Sequence, residues 1–292
     1  MTKFNENIKL FAELAKLRIT SFVMLTTAFG YVSYKGSIDE ELILPLFGIL
    51  LLACSSASVN HIQEAETDSL MERTRRRPIP SGRISSINAA FFAAILFLAG
   101  SVLLAASAGM TALLLALLNF LWYNAIYTPL KKINTMAIVP GSLVGAIPPM
   151  VGWVAAGGSI FDPGAIIIAF FFFIWQIPHF WLLLLVLSED YKKAGFPTLT
   201  DKFKSIQLAR ITFIWILAVI VTGLMIPLFG LMKTPVLGFS LFGAGLWLAF
   251  RSTRLLKPDE KSGKFIFAFN QINLFALLVM LIISIDKLIP NI

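Results

Sequence analysis

The chain has 292 residues, of which 58% are hydrophobic and only 14% are charged. Soluble domains carry about 25% charged residues, so the composition excludes an ordinary soluble protein. It predicts an all-α integral membrane protein, because a bilayer covers apolar surface that one soluble core cannot bury. The single cysteine, Cys54, excludes an intramolecular disulfide and a cysteine-based metal site. The net charge of +8 would suit a nucleic-acid partner, but the positions of the charges favour another explanation.

Residues 1–17 form the first predicted element, an amphipathic helix at the membrane surface. Phe4, Ile8, Phe11 and Leu14 recur at helical spacing, with lysines and glutamates between them. This mixture of acidic and basic residues differs from the acid-poor composition of an organelle-targeting leader. We therefore expect a bacterial plasma (inner) membrane location rather than a mitochondrial one.

Nine apolar stretches follow, each long enough to cross a bilayer as a helix. The predicted spans are 18–36, 41–60, 87–107, 110–128, 136–157, 163–187, 208–231, 234–250 and 265–286. No connection between them is long enough to hold a separate soluble domain. We therefore expect residues 1–292 to form one transmembrane domain embedded in the lipid bilayer.

The lysines and arginines are distributed asymmetrically about these spans. If the loops alternate sides, 21 of the 24 Lys and Arg residues fall on the side of the N-terminus, including those of the basic loop 251–264. Basic residues collect in cytoplasmic loops, so we expect the N-terminus and the loops 60–86 and 188–207 to face the cytoplasm. The same asymmetry accounts for the net positive charge, and nucleic acid is rejected as a partner.

The stretch from Asn60 to Arg83 combines acidic and basic residues between two apolar spans. Asn60, Glu64 and Asp68 are spaced four apart, which on one helix keeps their side chains on one face. Such oxygen ligands suit Mg²⁺, which takes one or two carboxylates and completes its shell with water and substrate phosphate. Guanidinium groups are good partners for phosphate oxygens. Five arginines follow the row: Arg73, Arg75, Arg76, Arg77 and Arg83.

A plainer interpretation of this stretch is a basic loop that only fixes membrane topology, with carboxylates solvated at a helix end. The strict four-residue spacing, which begins where an apolar helix should end, favours a functional site instead. We therefore predict a site for a metal-bound diphosphate at the membrane surface. We expect it at a solvated helix end, where truncating Asn60 or Asp68 removes charge but little packing and so costs little stability.

Two later segments add candidate residues. Tyr127 and Lys131 lie one turn apart at the end of the fourth span, so both point at one ligand if the helix survives Pro129. In the fifth span, Pro148 and Pro149 are expected to kink or break the helix and make room for a cavity. Helix packing alone would also explain the small residues around them.

The sixth span carries Gln176 and His179 between the aromatic residues Trp175 and Trp181. Polar side chains inside a span tend to face a cavity or a neighbouring helix. A lone histidine is more often a hydrogen-bonded structural residue than a ligand, but the flanking rings favour a planar, apolar ligand.

A second acidic and basic patch follows the sixth span, at residues 189–193. Alone it is typical of an ordinary loop. If it lies on the same side of the membrane as the Asn60–Asp68 row, Asp190 and Lys193 can form the second half of a metal–diphosphate clamp.

These residues resemble the UbiA-type intramembrane prenyltransferases, and within them the protohaem IX farnesyltransferases. The first motif of that family stands here as Asn60, Glu64, Asp68, Met71, Arg73, Thr74, Arg77, Pro78 and Gly82. The segments YTPLK, PGSLVGAIPPMVGW, WQIPHF and DYKKAGFP extend the resemblance over nearly the whole chain, and the last two narrow it to the haem branch. Glu64 replaces the commoner aspartate, and the second patch has Glu189 and Asp190 instead of two aspartates four apart.

The resemblance implies a bundle of nine helices around a central cavity open to the cytoplasmic side and to lipid. It implies transfer of farnesyl from farnesyl diphosphate to the 2-vinyl group of haem B, with addition of water, to give haem O and diphosphate. Haem A synthase or a terminal oxidase would be a further partner.

The resemblance also assigns roles to individual residues. It implies a Mg²⁺ cofactor, whose catalytic ligands would be Asn60, Glu64, Asp68 and Asp190. The implied diphosphate-binding residues are Arg18, Arg73, Arg77, Tyr127, Lys131 and Lys193. The implied haem-binding residues are His179, Gln176 and Trp175.

Two alternatives remain open at this point. A prenyltransferase acting on a quinone precursor or a chlorin would share the metal–diphosphate clamp but would not need His179. A transporter or membrane scaffold should instead show broken helices at the bilayer midplane.

Overall fold

The computed structural model describes residues 3–257 and 263–289. The side chain of Phe4, part of the predicted basic loop 251–264 and the two ends of the predicted domain lie outside the described residues. Within them the chain is helical and contains no strand. The helices are α1 Lys3–Leu14, α2 Leu17–Lys35, α3 Ile43–Gln63, α4 Ala65–Leu70, α5 Ser86–Leu121, α6 Thr128–Leu130, α7 Ile138–Gly141, α8 Leu143–Ala155, α9 Pro163–Lys193, α10 Ser205–Met225, α11 Pro235–Ser252 and α12 Gly263–Leu288.

Seven helical stretches of the described residues are long and apolar enough to cross a membrane, which supports an integral membrane protein. One of them, Ser86–Leu130, has 45 residues, about twice what a bilayer requires. Gly109 interrupts it with φ 80° and ψ 176°, between the predicted spans 87–107 and 110–128. Helix α2 coincides with the first predicted span but is not among the seven.

Helices α2 and α8 pack closely because glycines lie at their contact. A Cβ atom at Gly30 would stand 1.9 Å from the carbonyl oxygen of Pro149, and one at Gly152 would stand 1.8 Å from that of Thr27. Helix α8 runs continuously from Leu143 to Ala155 through Pro148 and Pro149. The proline pair, which was expected to kink or break the span, therefore does not break it. The packed α2–α8 interface supports the helix where the prolines remove backbone hydrogen bonds.

The largest apolar core lies among α9, α10 and α12. Phe171 and Phe275 are fully buried there, and their ring centroids lie 6.4 Å apart. A second core joins α3 and α5 to α8 through Leu52, Leu104 and Ile147. These two cores fix the ends of α3 and α9, from which the 60–86 and 188–207 segments emerge.

Candidate active site

The Asn60–Asp68 row crosses a joint between two helices. Helix α3 ends at Gln63, Glu64 adopts the non-helical angles φ −108° and ψ 4°, and α4 begins at Ala65. The predicted single helix is therefore interrupted. The backbone N–H of Glu64 still donates to the Asn60 carbonyl at 3.1 Å, and that of Asp68 to the Glu64 carbonyl at 2.7 Å. These bonds preserve the four-residue spacing across the joint.

The three side chains of the row are buried rather than solvated, which corrects the expectation from sequence. Asn60 is 1% exposed, Glu64 5% and Asp68 0%. In the segment that follows, Met71 is buried against Phe196 of the 188–207 segment. The two predicted catalytic loops therefore touch through an apolar contact.

Both carboxylates of the row pair with basic side chains. Lys131 forms an ion pair with Glu64, and the Arg77 guanidinium lies 2.7 Å from Asp68 Oδ2. Burial alone would raise the pKa of Glu64, but the Lys131 ammonium outweighs it and holds the pKa below its usual value. The second oxygen of Asp68, Oδ1, is buried without a hydrogen-bond partner.

Lys16 supplies the basic partner of Asn60, and sequence reasoning missed it. Its Nζ donates to Asn60 Oδ1 at 2.6 Å. Lys16 lies at the junction of α1 and α2 with φ 49°, the only positive φ of a non-glycine residue in the described chain. Strained backbone of this kind persists where the surroundings require it, often at functional sites. Burial, together with the nearby Arg77 charge, lowers the pKa of Lys16 to about 7.

Arg18, which the resemblance selected for diphosphate binding, is exposed and has no hydrogen bond or ion pair within the described residues. Arg18 follows Lys16 by only two residues, so the positions of basic residues in the sequence could not show which of the two contacts the row. The φ of Lys16, which decides the direction of the side chain, has no sequence signal because lysine has no preference for this region.

Tyr127 and Lys131 retain helical geometry through Pro129. A π-helical turn, Trp122–Tyr127, leads directly into α6, and the Lys131 N–H donates to the Tyr127 carbonyl at 3.0 Å. The Lys131 ammonium lies 5.6 Å from the centroid of the Tyr127 ring and 5.8 Å from that of Phe196. Two aromatic faces thus surround the cation that pairs with Glu64.

A cavity of about 650 Å³ lies beside the row, and we call it the arginine cavity. Its six basic lining residues are Lys16, Arg73, Arg75, Arg76, Arg77 and Arg83. Both arginines that the resemblance selected, Arg73 and Arg77, are among them. Lys16 and Arg77 also contact the row, so they connect the cavity to it.

The second acidic patch does not join the row in this structure. Asp190 is half-buried and Lys193 exposed, and neither side chain has a hydrogen bond or ion pair to the row among the described residues. Tyr191 instead faces Tyr127 and Lys131 across a space of about 50 Å³. The prediction that Asp190 completes a clamp is therefore not realised in this arrangement.

The residues selected for haem do not share one face of α9. His179 lies between the rings of Trp175 and Phe269, each with its centroid 4.7 Å away. Gln176 points to α8 instead, where a Cβ atom on Gly145 would lie 1.9 Å from its Oε1.

Two other side chains near this part of α9 differ from expectation. Trp181 packs against Trp215 at 5.9 Å rather than beside His179. The strongest partner of His179 is Asn273 of α12, 2.7 Å away. Because Asn273 and Phe269 come almost a hundred residues later, local sequence pattern could not have found them.

The row suits Mg²⁺ by its chemistry. It offers two carboxylates and one amide oxygen, all hard oxygen donors, and the buried Asp68 Oδ1 lacks a partner. No group of three or more His, Cys, Asp or Glu side chains in the described residues could hold a metal ion. A cation here would therefore need further oxygens from water and substrate, as Mg²⁺ ordinarily does.

Comparison with known proteins identifies the family to which the chain belongs. The model of the UbiA prenyltransferase family matches residues 22–277. A protein of Gloeobacter violaceus named "Protoheme IX farnesyltransferase" is 39% identical over 87% of this chain and 85% of its own length. One of the same name from Oleidesulfovibrio alaskensis is 30% identical over 96% of this chain and 97% of its own. The chain belongs to the UbiA prenyltransferase family, and it is a prenyltransferase whose relatives carry the name protoheme IX farnesyltransferase. The predicted resemblance is confirmed.

Solved structures agree with the fold. A structure described as concerning digeranylgeranylglyceryl phosphate synthase in membranes matches with a TM-score of 0.77, at 18% identity, over 97% of this chain and 99% of that one. A UbiA homologue of Archaeoglobus fulgidus bound to GPP and Mg²⁺ matches with a TM-score of 0.68, at 14% identity, over 96% and 99%. At these identities the likeness establishes the shared fold alone.

Proposed function

We propose that this prenyltransferase moves the farnesyl group of farnesyl diphosphate to the 2-vinyl group of haem B, with addition of water, giving haem O and diphosphate. The relatives that carry the name protoheme IX farnesyltransferase support this substrate pair over nearly the full length of the chain. The observation that carries the proposal is the buried row in which Asn60, Glu64 and Asp68 each meet a basic side chain.

The row is the proposed Mg²⁺ site, with Asn60, Glu64 and Asp68 as ligands. A homologue of the same fold has been solved with GPP and Mg²⁺, which supports a divalent cation here. Bound there, Mg²⁺ would withdraw charge from the leaving diphosphate. Asp190 would reach the metal, and Lys193 the diphosphate, only if the 188–207 segment closes towards the row, and we assign them these roles in the closed state.

The basic residues beside the row have a separate task. Lys131, Arg77 and Lys16 can donate to phosphate oxygens, so they stabilise the negative charge that develops as the bond between farnesyl C1 and oxygen breaks. Arg73 and Arg18 would add to the positive electrostatic potential at the diphosphate. The ring of Tyr127 would hold the Lys131 ammonium in position. Lys131, Arg77 and Lys16 already contact the row, so little reorganisation of these three donors is needed during the reaction.

The farnesyl cation needs a dry environment, because water would capture it before the vinyl group of haem does. Tyr127, Phe180, Tyr191 and Phe196 provide aromatic walls around a space of about 50 Å³. That volume has room for only a few water molecules, so these side chains must move apart when the farnesyl chain enters. Closure around it would then exclude bulk water.

His179, with Trp175 and Gln176, is the proposed haem contact. The Nδ1 of His179 faces the Oδ1 of Asn273, so a proton on Nδ1 leaves the lone pair of Nε2 for the haem iron. A hydrogen bond to a propionate would require a second proton, on Nε2. Gln176 has a buried Oε1 without a hydrogen-bond partner. It would serve as an acceptor on the α8 side.

The proposal includes the topology. We infer nine crossings, by counting α2 as a span and dividing Ser86–Leu130 at Gly109, in one domain over 1–292 of the inner membrane. The N-terminus and both loops then face the cytoplasm, in agreement with the distribution of lysine and arginine. Haem A synthase or a terminal oxidase would receive the product.

The test is to incubate the purified protein with haem B, farnesyl diphosphate and Mg²⁺ and to look for farnesylated haem by mass spectrometry. Formation of haem O supports the proposal. Transfer to a quinone precursor or a chlorin, with none to haem, would show that haem B is not the acceptor, although the protein would still be a prenyltransferase. Product formation that is unaffected by Asp68→Asn would contradict the assigned row.

A further inference from the structure

The arginine cavity has an excess of positive charge that the protein itself does not neutralise. Among the described residues that line it, Glu13 is the only acidic one, and it pairs with Arg83 at 2.6 Å. Arg73 and Arg76 have no carboxylate within 4.0 Å among the described residues. Close cations repel one another unless an anion lies between them. The cavity is therefore built to receive an anion.

His61 adds a second, independent indication of a ligand. It lines the cavity and is only 2% exposed, yet neither Nδ1 nor Nε2 has a hydrogen-bond partner. A buried polar group without a partner is destabilising. Neutral imidazole carries one N–H, which could donate to an oxygen of an anion in the cavity and so be satisfied.

The chemistry of the cavity edge indicates what kind of anion this is. Ile19 lines the cavity and is 63% exposed. Phe22, one turn further along α2, is 42% exposed. From there α2 continues to Lys35 as an apolar helix. The cationic cavity thus opens onto an apolar stripe, and the two together match a molecule with an anionic head and an apolar tail.

We propose that the arginine cavity binds the headgroup phosphate of an anionic phospholipid, whose acyl chain lies along Ile19 and Phe22. Basic clusters at the membrane surface attract such lipids, and arginine forms paired hydrogen bonds with phosphate oxygens. A free diphosphate would leave the apolar stripe unused. Farnesyl diphosphate also has an apolar tail, and the affinity of the variants below for a farnesyl thiodiphosphate distinguishes it from a phospholipid. A bound lipid would lie beside Lys16 and Arg77, the two cavity residues that also contact the row.

The experiment measures lipid binding to the full-length protein after removal of lipid in neutral detergent. Phosphatidylglycerol and phosphatidylcholine are added separately and the bound lipid is counted by native mass spectrometry. The test variant is Arg75→Gln/Arg76→Gln, since neither residue is assigned to diphosphate binding. The control is Arg210→Gln/Lys257→Gln, which removes the same charge from two exposed residues elsewhere.

We expect wild type and the control to bind phosphatidylglycerol in preference to phosphatidylcholine. The Arg75→Gln/Arg76→Gln variant should bind it about tenfold more weakly. Its affinity for a farnesyl thiodiphosphate should stay unchanged. An Ile19→Asn/Phe22→Asn variant should also lose the lipid, although no charge is removed.

Three results would overturn the proposal. One is equal loss of lipid in the control, which would show a general effect of surface charge. The second is displacement of the lipid by inorganic diphosphate with no effect of Ile19→Asn/Phe22→Asn, which would make the cavity a diphosphate site. The third is an unchanged lipid preference in Arg75→Gln/Arg76→Gln.

Discussion

The Nδ1 of His179 lies 2.7 Å from the Oδ1 of Asn273, which joins the middle of α9 to the middle of α12. An amide oxygen only accepts hydrogen bonds, so Nδ1 carries the proton and Nε2 keeps its lone pair. Asn273 thereby fixes the direction and the tautomer of the imidazole, as second partners of ligating histidines commonly do.

His179→Ala should therefore weaken haem B binding and shift the haem absorption band, whereas affinity for a farnesyl thiodiphosphate should stay near wild type. Asn273→Leu should shift the band less, because the imidazole remains but loses its orientation. Titration by absorbance and by calorimetry separates the two substrates. Parallel loss of both affinities in His179→Ala would leave His179 as a structural residue, whose removal lowers stability by about 1–3 kcal/mol.

Asp68→Ala should abolish transfer and also destabilise the fold. Sequence alone predicts a solvated carboxylate and little loss of stability, but Asp68 is 0% exposed and paired with Arg77. Removing one partner of a buried pair leaves an uncompensated charge, which costs about 3 kcal/mol. Loss of the proposed metal ligand should lower the rate on the order of 10²-fold or more.

The matched control for this prediction is the double variant Asp68→Ala/Arg77→Met, which removes both charges together. It should recover much of the thermal stability and none of the activity. Glu64→Asp should retain much activity, because a carboxylate remains beside Lys131. Normal turnover of Asp68→Ala at limiting Mg²⁺ would contradict the role of the row.

Sequence pattern was sufficient for features that depend on local spacing. The four-residue row, the Tyr127–Lys131 pair and the helical, membrane-spanning class of the fold all follow from periodicity and composition. The joint at Glu64 did not, because neither periodicity nor composition marks Glu64 as the residue where the helix is interrupted. Asn273 and Lys16 were missed for the same reason: a partner across the bundle and a single backbone angle leave no periodic signal.

The membrane topology can be tested by labelling introduced cysteines. The single native cysteine, Cys54, is buried at 4% exposure, so it should react little and give a low background. A cysteine introduced by Ser69→Cys or Ser188→Cys should react with a membrane-impermeant thiol reagent only in inside-out vesicles. Ser159→Cys, in the exposed turn between α8 and α9, should react in intact cells. Labelling of Ser69→Cys in intact cells would overturn the proposed orientation.

The last prediction distinguishes Lys16 from Arg18, two basic residues at the same helix end. Lys16 donates to Asn60 Oδ1 at 2.6 Å and lines the arginine cavity, whereas Arg18 is exposed. Lys16→Asn should weaken binding of a farnesyl thiodiphosphate about tenfold, since one charged hydrogen bond contributes about 1.5–3 kcal/mol. Asparagine tolerates the positive φ better than most residues, so the fold should be preserved and the loss should come from the missing ammonium.

Arg18→Gln is the matched control for that change. If the geometry of the row decides diphosphate binding, this variant should bind the same probe within about twofold of wild type, because an exposed charge is screened by salt. Calorimetry at two salt concentrations measures both variants. A larger loss in Arg18→Gln than in Lys16→Asn would transfer the role to Arg18, as the family resemblance alone implies. It would also mean that the α1–α2 junction rearranges when the diphosphate binds.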